Sequence, residues 1–137
     1  METMIYSQHY EGITGSLALR LTPQRLRKMD AFDMCQIVAD HSKSGERYHE
    51  FFSADRLSVG LYVLKAGTKD PQMPHTEDEI YYVVSGSATI EVMGEQRQVR
   101  AGAVIYVDAH TAHRFHSITE DLSVIVVFTP PRHSLRT

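Results

Sequence analysis

The stretch of sequence that decides the fold lies at residues 67–86 and consists of GTKDPQMPHTEDEIYYVVSG. Its second half, from Ile80 to Val84, is rich in β-branched and aromatic residues, which is typical of a strand. Alternation along a strand places Glu79 and Tyr81 on one face and Ile80 and Tyr82 on the other. A carboxylate that points into a protein interior must be paired, hydrogen-bonded or metal-bound to offset its desolvation. Glu79 is therefore the first candidate for a functional residue.

Outward from this stretch, the chain from Tyr48 onward alternates between short strands and turns that contain glycine or acidic residues. About eight short strands at close spacing indicate a sandwich or a barrel. Pro130-Pro131 ends the last strand, because neither proline can donate to a strand ladder. The predicted turns include Ser85-Gly86 and Thr119-Glu120-Asp121. The predicted strands span residues 47–53, 57–64, 79–85, 87–93, 96–100, 103–107, 113–117 and 121–129.

The region before the barrel has a different pattern. Alternation of Leu17, Leu19 and Leu21 with other residues predicts a half-buried strand. A short helix is predicted from Asp30, with an apolar stripe formed by Phe32, Met34, Ile37 and Val38. The sequence thus predicts three parts, namely an N-terminal extension (1–46) packed on the barrel, a β-barrel (47–130) and a C-terminal tail (131–137) that is expected to be mobile.

Composition excludes several classes of protein. The chain has 137 residues, 42% hydrophobic and 23% charged, which fits one folded domain. A net charge of -3 and the lack of a basic stripe argue against a nucleic-acid partner. No apolar run is long enough to span a bilayer, and the first residues do not resemble a signal peptide. These two observations argue against a membrane partner. The single cysteine cannot form an internal disulfide, and the sequence therefore predicts a cytoplasmic protein.

Residues with metal-binding side chains cluster in two places, at residues 74–79 and 108–116. Neither cluster is a helical zinc signature, because the first lacks a second histidine at the required spacing and the second has no glutamate beside His110. Both clusters lie where strands are predicted to begin. Nitrogen and carboxylate ligands that converge from two strands on a barrel interior are what a site for Fe, Mn, Ni or Zn requires.

The first cluster resembles the first motif of the cupins, which runs Gly, five residues, His-x-His, three or four residues, Glu, six residues, Gly. In this chain Gly67, His75, Glu79 and Gly86 match that spacing. Met73 occupies the position of the first histidine.

The second cluster resembles the second cupin motif, which runs Gly, five residues, Pro-x-Gly, two residues, His, three residues, Asn. Gly102 and His113 match it, whereas Asp108, His110 and Ser117 replace the proline, the inner glycine and the asparagine. The resemblance covers residues 57–129. It implies an all-β fold, the double-stranded β-helix or jelly-roll barrel, here with a short N-terminal helix and a strand extension.

The resemblance also implies one divalent metal ion (Fe, Mn, Ni or Zn) held by His75, Glu79 and His113. Met73 is not counted as a ligand, because a thioether suits Cu(I) better than these metals. The fourth family ligand is therefore missing. Glu77 is predicted to be a solvated loop charge, but it shares parity with His75 and Glu79 and is the reserve ligand.

Two further residues are candidates for proton transfer. Tyr81 is predicted either to line the cavity or to pack in the core, and His110 to act as a proton shuttle at the barrel mouth. His116 is predicted to lie at the rim or surface. Phe115 shares the face of His113 and is predicted to pack in the cavity wall.

Three functions remain open at this stage. The first is a metal-dependent enzyme for a small polar metabolite, with a non-haem dioxygenase as the leading candidate. The second is a metal-dependent isomerase or lyase with the same ligands. The third is a non-catalytic binding module for a small ligand. The resemblance further implies a homodimer, for which the leucine stripe at residues 17–21 is a suitable pairing element.

Overall fold

The computed structural model describes residues 29–135. The chain divides into two compact units, Met1–Ala31 and Phe32–Thr137. Of the first unit only residues 29–31 are described, and they form no regular structure. The predicted strand at residues 17–21 lies outside the described residues, so its role in a homodimer stays a prediction. The elements of the second unit are, in chain order, α1 (Met34–Ser44), β1 (Tyr48–Ser53), β2 (Ser58–Leu64), β3 (Asp78–Val92), β4 (Glu95–Arg100), β5 (Val104–Val107) and β6 (His113–Thr129).

The strands form one antiparallel sheet that folds onto itself. Their order is β1-β2-β6-β3-β4, with β5 paired to β3. The two long strands pair with each other from Asp78 opposite Thr129 to Val92 opposite His113. Their halves have different outer neighbours, since residues 79–82 of β3 pair with β5 and residues 87–92 pair with β4. This arrangement is the jelly-roll barrel that the sequence predicts.

Two of the predicted turns are wrong, because β3 and β6 each continue through them. The predicted break at Ser85-Gly86 is an irregular stretch inside β3, where the register with β6 shifts between Val83 and Thr89. Gly86 has a φ of 88° there, which favours glycine. The predicted turn at residues 119–121 likewise lies within β6. The eight predicted strands therefore correspond to six observed strands, because two pairs of them are continuous in β3 and β6. An irregularity such as a bulge bends a strand without ending it.

The predicted helix is confirmed, but it begins at Met34, and Asp33 rather than Asp30 is the N-cap residue. Gly45 ends the helix with a φ of 69°, a typical C-terminal cap. Ile37 is the buried residue of the predicted stripe, whereas Val38 is 46% exposed. Among residues 29–135, no helix is long and apolar enough to cross a membrane.

Alternation along the strands determines which side chains form the core. Tyr81 and Val83 are fully buried, whereas the adjacent Tyr82 is 47% exposed, as the parity of β3 predicts. Phe115 is buried in the same cluster as Tyr81. The core is therefore the barrel interior, and the first half of β3 directs alternate side chains into it.

We expect Gly86→Ala to destabilise the barrel far more than Gly102→Ala. Both positions have positive φ, which alone destabilises an alanine variant by about 1 kcal/mol. At Gly86 a Cβ would also overlap the backbone carbonyl of Asp121, whereas nothing lies near a Cβ at Gly102. We expect a loss of roughly 3 kcal/mol in the unfolding free energy for Gly86→Ala. Urea unfolding of both variants tests this, and equal losses would contradict a tight contact between β3 and β6 at the bend.

Candidate metal centre

Three side chains from separate parts of the fold meet inside the barrel. His75 lies in the loop before β3, Glu79 is the second residue of β3, and His113 is the first residue of β6. Nε2 of His75 lies 3.2 Å from Oε1 of Glu79, and Nε2 of His113 lies 2.9 Å from Oε2 of Glu79. One ligand atom from each residue lies within 4.8 Å of the others, so these three residues could hold a metal ion.

The contact between Glu79 and His113 requires the sheet to close. In the β3–β6 ladder His113 lies opposite Val92, which is 92 − 79 = 13 residues along β3 from Glu79. In a flat strand these positions would be about 43 Å apart. Bending of both long strands brings His113 back to the beginning of β3.

His113 is oriented for metal binding. Its Nδ1 lies 2.7 Å from the carbonyl oxygen of Thr111, which can only accept, so Nδ1 donates and the neutral ring presents the lone pair of Nε2 to Glu79. A backbone carbonyl on the second nitrogen is a common arrangement for histidine ligands. Burial lowers the pKa of His113, but the neighbouring Glu79 carboxylate and the Thr111 carbonyl outweigh it, and the pKa is raised. The surroundings of Nε2 thus favour a positive charge.

Two buried atoms of the cluster lack a hydrogen-bond donor or acceptor of their own. Among the described residues, neither Oε1 of Glu79 nor Nε2 of His113 has a hydrogen-bond partner. Burial lowers the pKa of His75 despite the nearby Glu79, which favours a neutral imidazole with a free lone pair. When both imidazoles are neutral, two nitrogen lone pairs face one carboxylate, an arrangement that a bound cation would stabilise. The donor set of two imidazoles and one carboxylate fits a divalent transition metal.

Tyr81 lies directly against this cluster. Its hydroxyl donates to Oε2 of Glu79 at 2.7 Å, and its ring packs at the edge of Phe115. Burial and the charge of Glu79 raise the pKa of Tyr81, so it stays a protonated phenol. Of the two predicted candidates for proton transfer, Tyr81 therefore lies in contact with the centre.

Gln72 also faces the centre, and no sequence motif pointed to it. Its Oε1 lies 3.0 Å from the hydroxyl of Tyr81 and 3.5 Å from Nε2 of His75. Its Nε2 donates to Asp70 at 2.7 Å. Because a carboxylate oxygen only accepts, this bond fixes the amide so that its oxygen points to the centre.

Asp70 is itself held rigidly. Besides the amide of Gln72, it accepts hydrogen bonds from the hydroxyl of Tyr62 at 2.7 Å and from the backbone nitrogen of Phe115 at 2.8 Å. The loop before β3 is thus tied to β2 and β6 through one carboxylate. Met73, which follows Gln72, has its side chain in solvent, at 73% exposure, and does not fill the vacant ligand position.

Glu77 is buried, whereas the sequence predicts a solvated charge and a reserve ligand. It is 2% exposed and is not part of the ligand cluster. Its Oε1 accepts a hydrogen bond from the backbone nitrogen of His133 at 2.8 Å. The described part of the C-terminal tail is therefore anchored to the barrel rather than free. Local alternation could not reveal this, because the donor lies 56 residues away.

His110 and Ser117, which replace residues of the second motif, both have positive φ, of 61° and 50°. Glycine and asparagine, which the motif has at these positions, are residues that tolerate this conformation. His110 contacts the centre through its backbone, since its nitrogen donates to the carbonyl of His75 at 2.6 Å. His116 lies outside the cluster, with Nε2 3.7 Å from Glu91.

An open cavity of about 610 Å³ adjoins the centre. His75 and Gln72 form part of its wall, so a small molecule in the cavity would reach the ligand cluster from that side. The wall also contains the aromatic rings of Tyr48, Tyr62 and Phe128.

A family model described as the cupin domain matches residues 60–128, which is 69 of 137 residues. An uncharacterized protein of Streptomyces coelicolor is 50% identical over 103 residues, which cover 75% of this chain and 98% of that protein.

Solved structures with the same architecture include KdgF from Halomonas sp., with a TM-score of 0.58 and 26% identity over 64% of this chain and 81% of that chain. A putative mannose-6-phosphate isomerase from Ralstonia eutropha has a TM-score of 0.54 and 27% identity, covering 60% of this chain and 82% of its own. BH2720 from Bacillus halodurans has a TM-score of 0.62 over 80% of this chain and 86% of its own, and at 19% identity it is similar in fold alone.

Proposed function

The chain belongs to the cupin family, and on that premise we propose that it is a metal-dependent enzyme for a small polar metabolite. In this proposal His75, Glu79 and His113 hold one divalent ion of Fe, Mn, Ni or Zn. The observation that carries the proposal is that three side chains with metal-binding atoms converge at one place. Two of their buried atoms, Oε1 of Glu79 and Nε2 of His113, have no hydrogen-bond partner among the described residues. A bound cation would satisfy both atoms.

The metal would supply Lewis acidity and a template for the substrate. The chain's own residues determine what surrounds it. Three protein ligands would leave coordination positions free for a substrate, and His75 lies in the wall of the cavity through which one could approach. The amide oxygen of Gln72 is the additional protein donor near that opening, and Asp70 holds it in place.

The donor set favours a non-haem dioxygenase as the first candidate reaction, because two histidines and one carboxylate leave room for a substrate together with O₂. A metal-dependent isomerase or lyase is the second candidate, and Tyr81 is the observation that favours it. In this reaction its phenol, which is 2.7 Å from Oε2 of Glu79, would give a proton to a bound substrate. The similarity to a putative mannose-6-phosphate isomerase supports this second candidate.

We expect the untagged full-length protein to bind roughly one divalent metal per chain and His113→Ala to bind almost none. Elemental analysis after dialysis against Fe, Mn, Ni or Zn measures this. His110→Ala is the matched control, because His110 is exposed and contacts the centre only through its backbone in the described interactions. Wild-type protein that takes up none of these metals would contradict the proposal and favour a non-catalytic binding module.

We expect Gln72→Leu to weaken metal binding roughly tenfold, because the variant loses an oxygen donor beside the cluster. Met73→Leu should leave the metal dissociation constant unchanged, since its side chain is in solvent. Asp70→Asn should also weaken metal binding, because an asparagine would not fix the orientation of the Gln72 amide in the same way. Competition against a metal-sensitive dye measures all three constants, and an effect at Met73 alone would contradict the role of Gln72.

The two candidate reactions differ in their need for O₂ and for Tyr81. For an isomerase or lyase, Tyr81→Phe should retain the metal and lose roughly a hundredfold or more in turnover, since it lacks the proton donor. For a dioxygenase, Fe(II)-loaded protein should consume O₂ only when a substrate is present. An oxygen electrode and product analysis across a panel of small polar metabolites separate the two. Metal-loaded protein that converts nothing in the panel would favour the binding module.

A further inference from the structure

The C-terminal segment brings an arginine to the cavity beside the metal centre. After β6 the chain turns back, and the backbone nitrogen of Arg132 donates to Oγ of Ser58 at 2.9 Å. The next residue, His133, donates its backbone nitrogen to Oε1 of Glu77. Both acceptors are buried, with Ser58 at 0% and Glu77 at 2% exposure. Two buried acceptors therefore fix the position of Arg132 at the level of the backbone.

The guanidinium of Arg132 lies over aromatic rings of the cavity wall. Its central carbon is 4.5 Å from the centroid of the Tyr48 ring and 6.0 Å from that of Phe128. A cation–π contact of this kind does not use up the N–H groups of the guanidinium, which can still bind a ligand. Tyr48 can lie at this place because Gly60 has no Cβ, which would overlap the tyrosine ring.

The charge of Arg132 has no counter-ion in the described part of the chain. Among residues 29–135, the ion pairs of the structure involve other cations, and no carboxylate pairs with Arg132. Arg132 and His75 line the same cavity. The Phe128 ring lies between them in contact distance, with its centroid 6.0 Å from the central carbon of Arg132 and 5.2 Å from the centroid of the His75 ring. The arginine therefore lies close to a ligand residue of the metal centre.

We propose that Arg132 binds the carboxylate of a small organic acid whose apolar part lies against Tyr48 and Phe128 and whose other end reaches His75 and Gln72. The planar fork of an arginine matches the two oxygens of a carboxylate. This proposal deepens the proposed function, on which it rests, because it names the class of substrate for the same cavity.

The cavity favours a monoanion over a phosphate ester. It contains Arg47 and Arg132 as cations, but Glu46 also lies in its wall. Together these three side chains carry a single net positive charge, which one carboxylate neutralises. The aromatic wall provides area for an apolar body rather than further hydrogen bonds for phosphate oxygens.

The test uses matched probes that differ in charge and not in shape. Benzoate, phenylacetate and hexanoate are titrated into the full-length protein beside their neutral amides, and backbone amide shifts are followed by NMR. Phenyl phosphate is the competing anion. Each titration is carried out after chelation and again with Zn²⁺, so that binding to Arg132 is separated from binding to the metal.

We expect at least one carboxylate to bind the chelated protein roughly tenfold more tightly than its amide. Arg132→Gln should remove this preference, Arg132→Lys should keep part of it, and Arg97→Gln, which removes the same charge from β4, should change nothing. Metal content and melting temperature should be unchanged in Arg132→Gln, which distinguishes this inference from the proposed metal site.

Four results would overturn the inference. Three of them are equal binding of acids and amides, a carboxylate preference that survives in Arg132→Gln, and tighter binding of phenyl phosphate than of any carboxylate. The fourth is lack of binding by all three acids to the chelated protein, whether or not the metal site is then found.

Discussion

The contact between Glu79 and His113 is the interaction on which the functional part of this protein depends. It joins residues at opposite ends of the β3–β6 ladder, so it exists only because both long strands bend. Gly86 permits the bend, since its backbone conformation and its closeness to the Asp121 carbonyl leave no room for a side chain. The closed barrel buries Glu79, so its charge must be offset by hydrogen bonds or by a neighbouring cation.

Three acidic residues close together in the sequence satisfy their charges in three different ways. Glu79 lies between two imidazoles and accepts a hydrogen bond from Tyr81. Asp70 accepts hydrogen bonds from the loop, from β2 and from β6, and it orients Gln72. Glu77 accepts the backbone of the C-terminal segment and so helps to place the residue before it, Arg132. A buried carboxylate acts strongly on its neighbours because it must be satisfied locally.

Family membership and the local geometry answer different questions. The cupin fold is shared by proteins of different chemistry, so it does not decide the reaction. The local features that bear on the reaction are Gln72 beside the cluster, the phenol of Tyr81 and the guanidinium of Arg132 over the Tyr48 ring. They lie on the loop, on β3 and on the C-terminal segment. Substitutions there should change substrate and metal preference while leaving the barrel intact.

The sequence by itself determined the barrel, the helix and the ligand candidates His75, Glu79 and His113, because strand alternation and motif spacing are local properties of the chain. The parity of β3 likewise placed Tyr81 inside and Tyr82 outside. Only the tertiary structure decided that eight predicted strands are six, that Glu77 anchors a tail and that Gln72 and Arg132 face the cavity. Each of these features depends on residues that are far apart in the sequence, as Glu77 and His133 are, with a separation of 56 residues. A local sequence pattern does not show which distant donors and acceptors meet when the sheet closes.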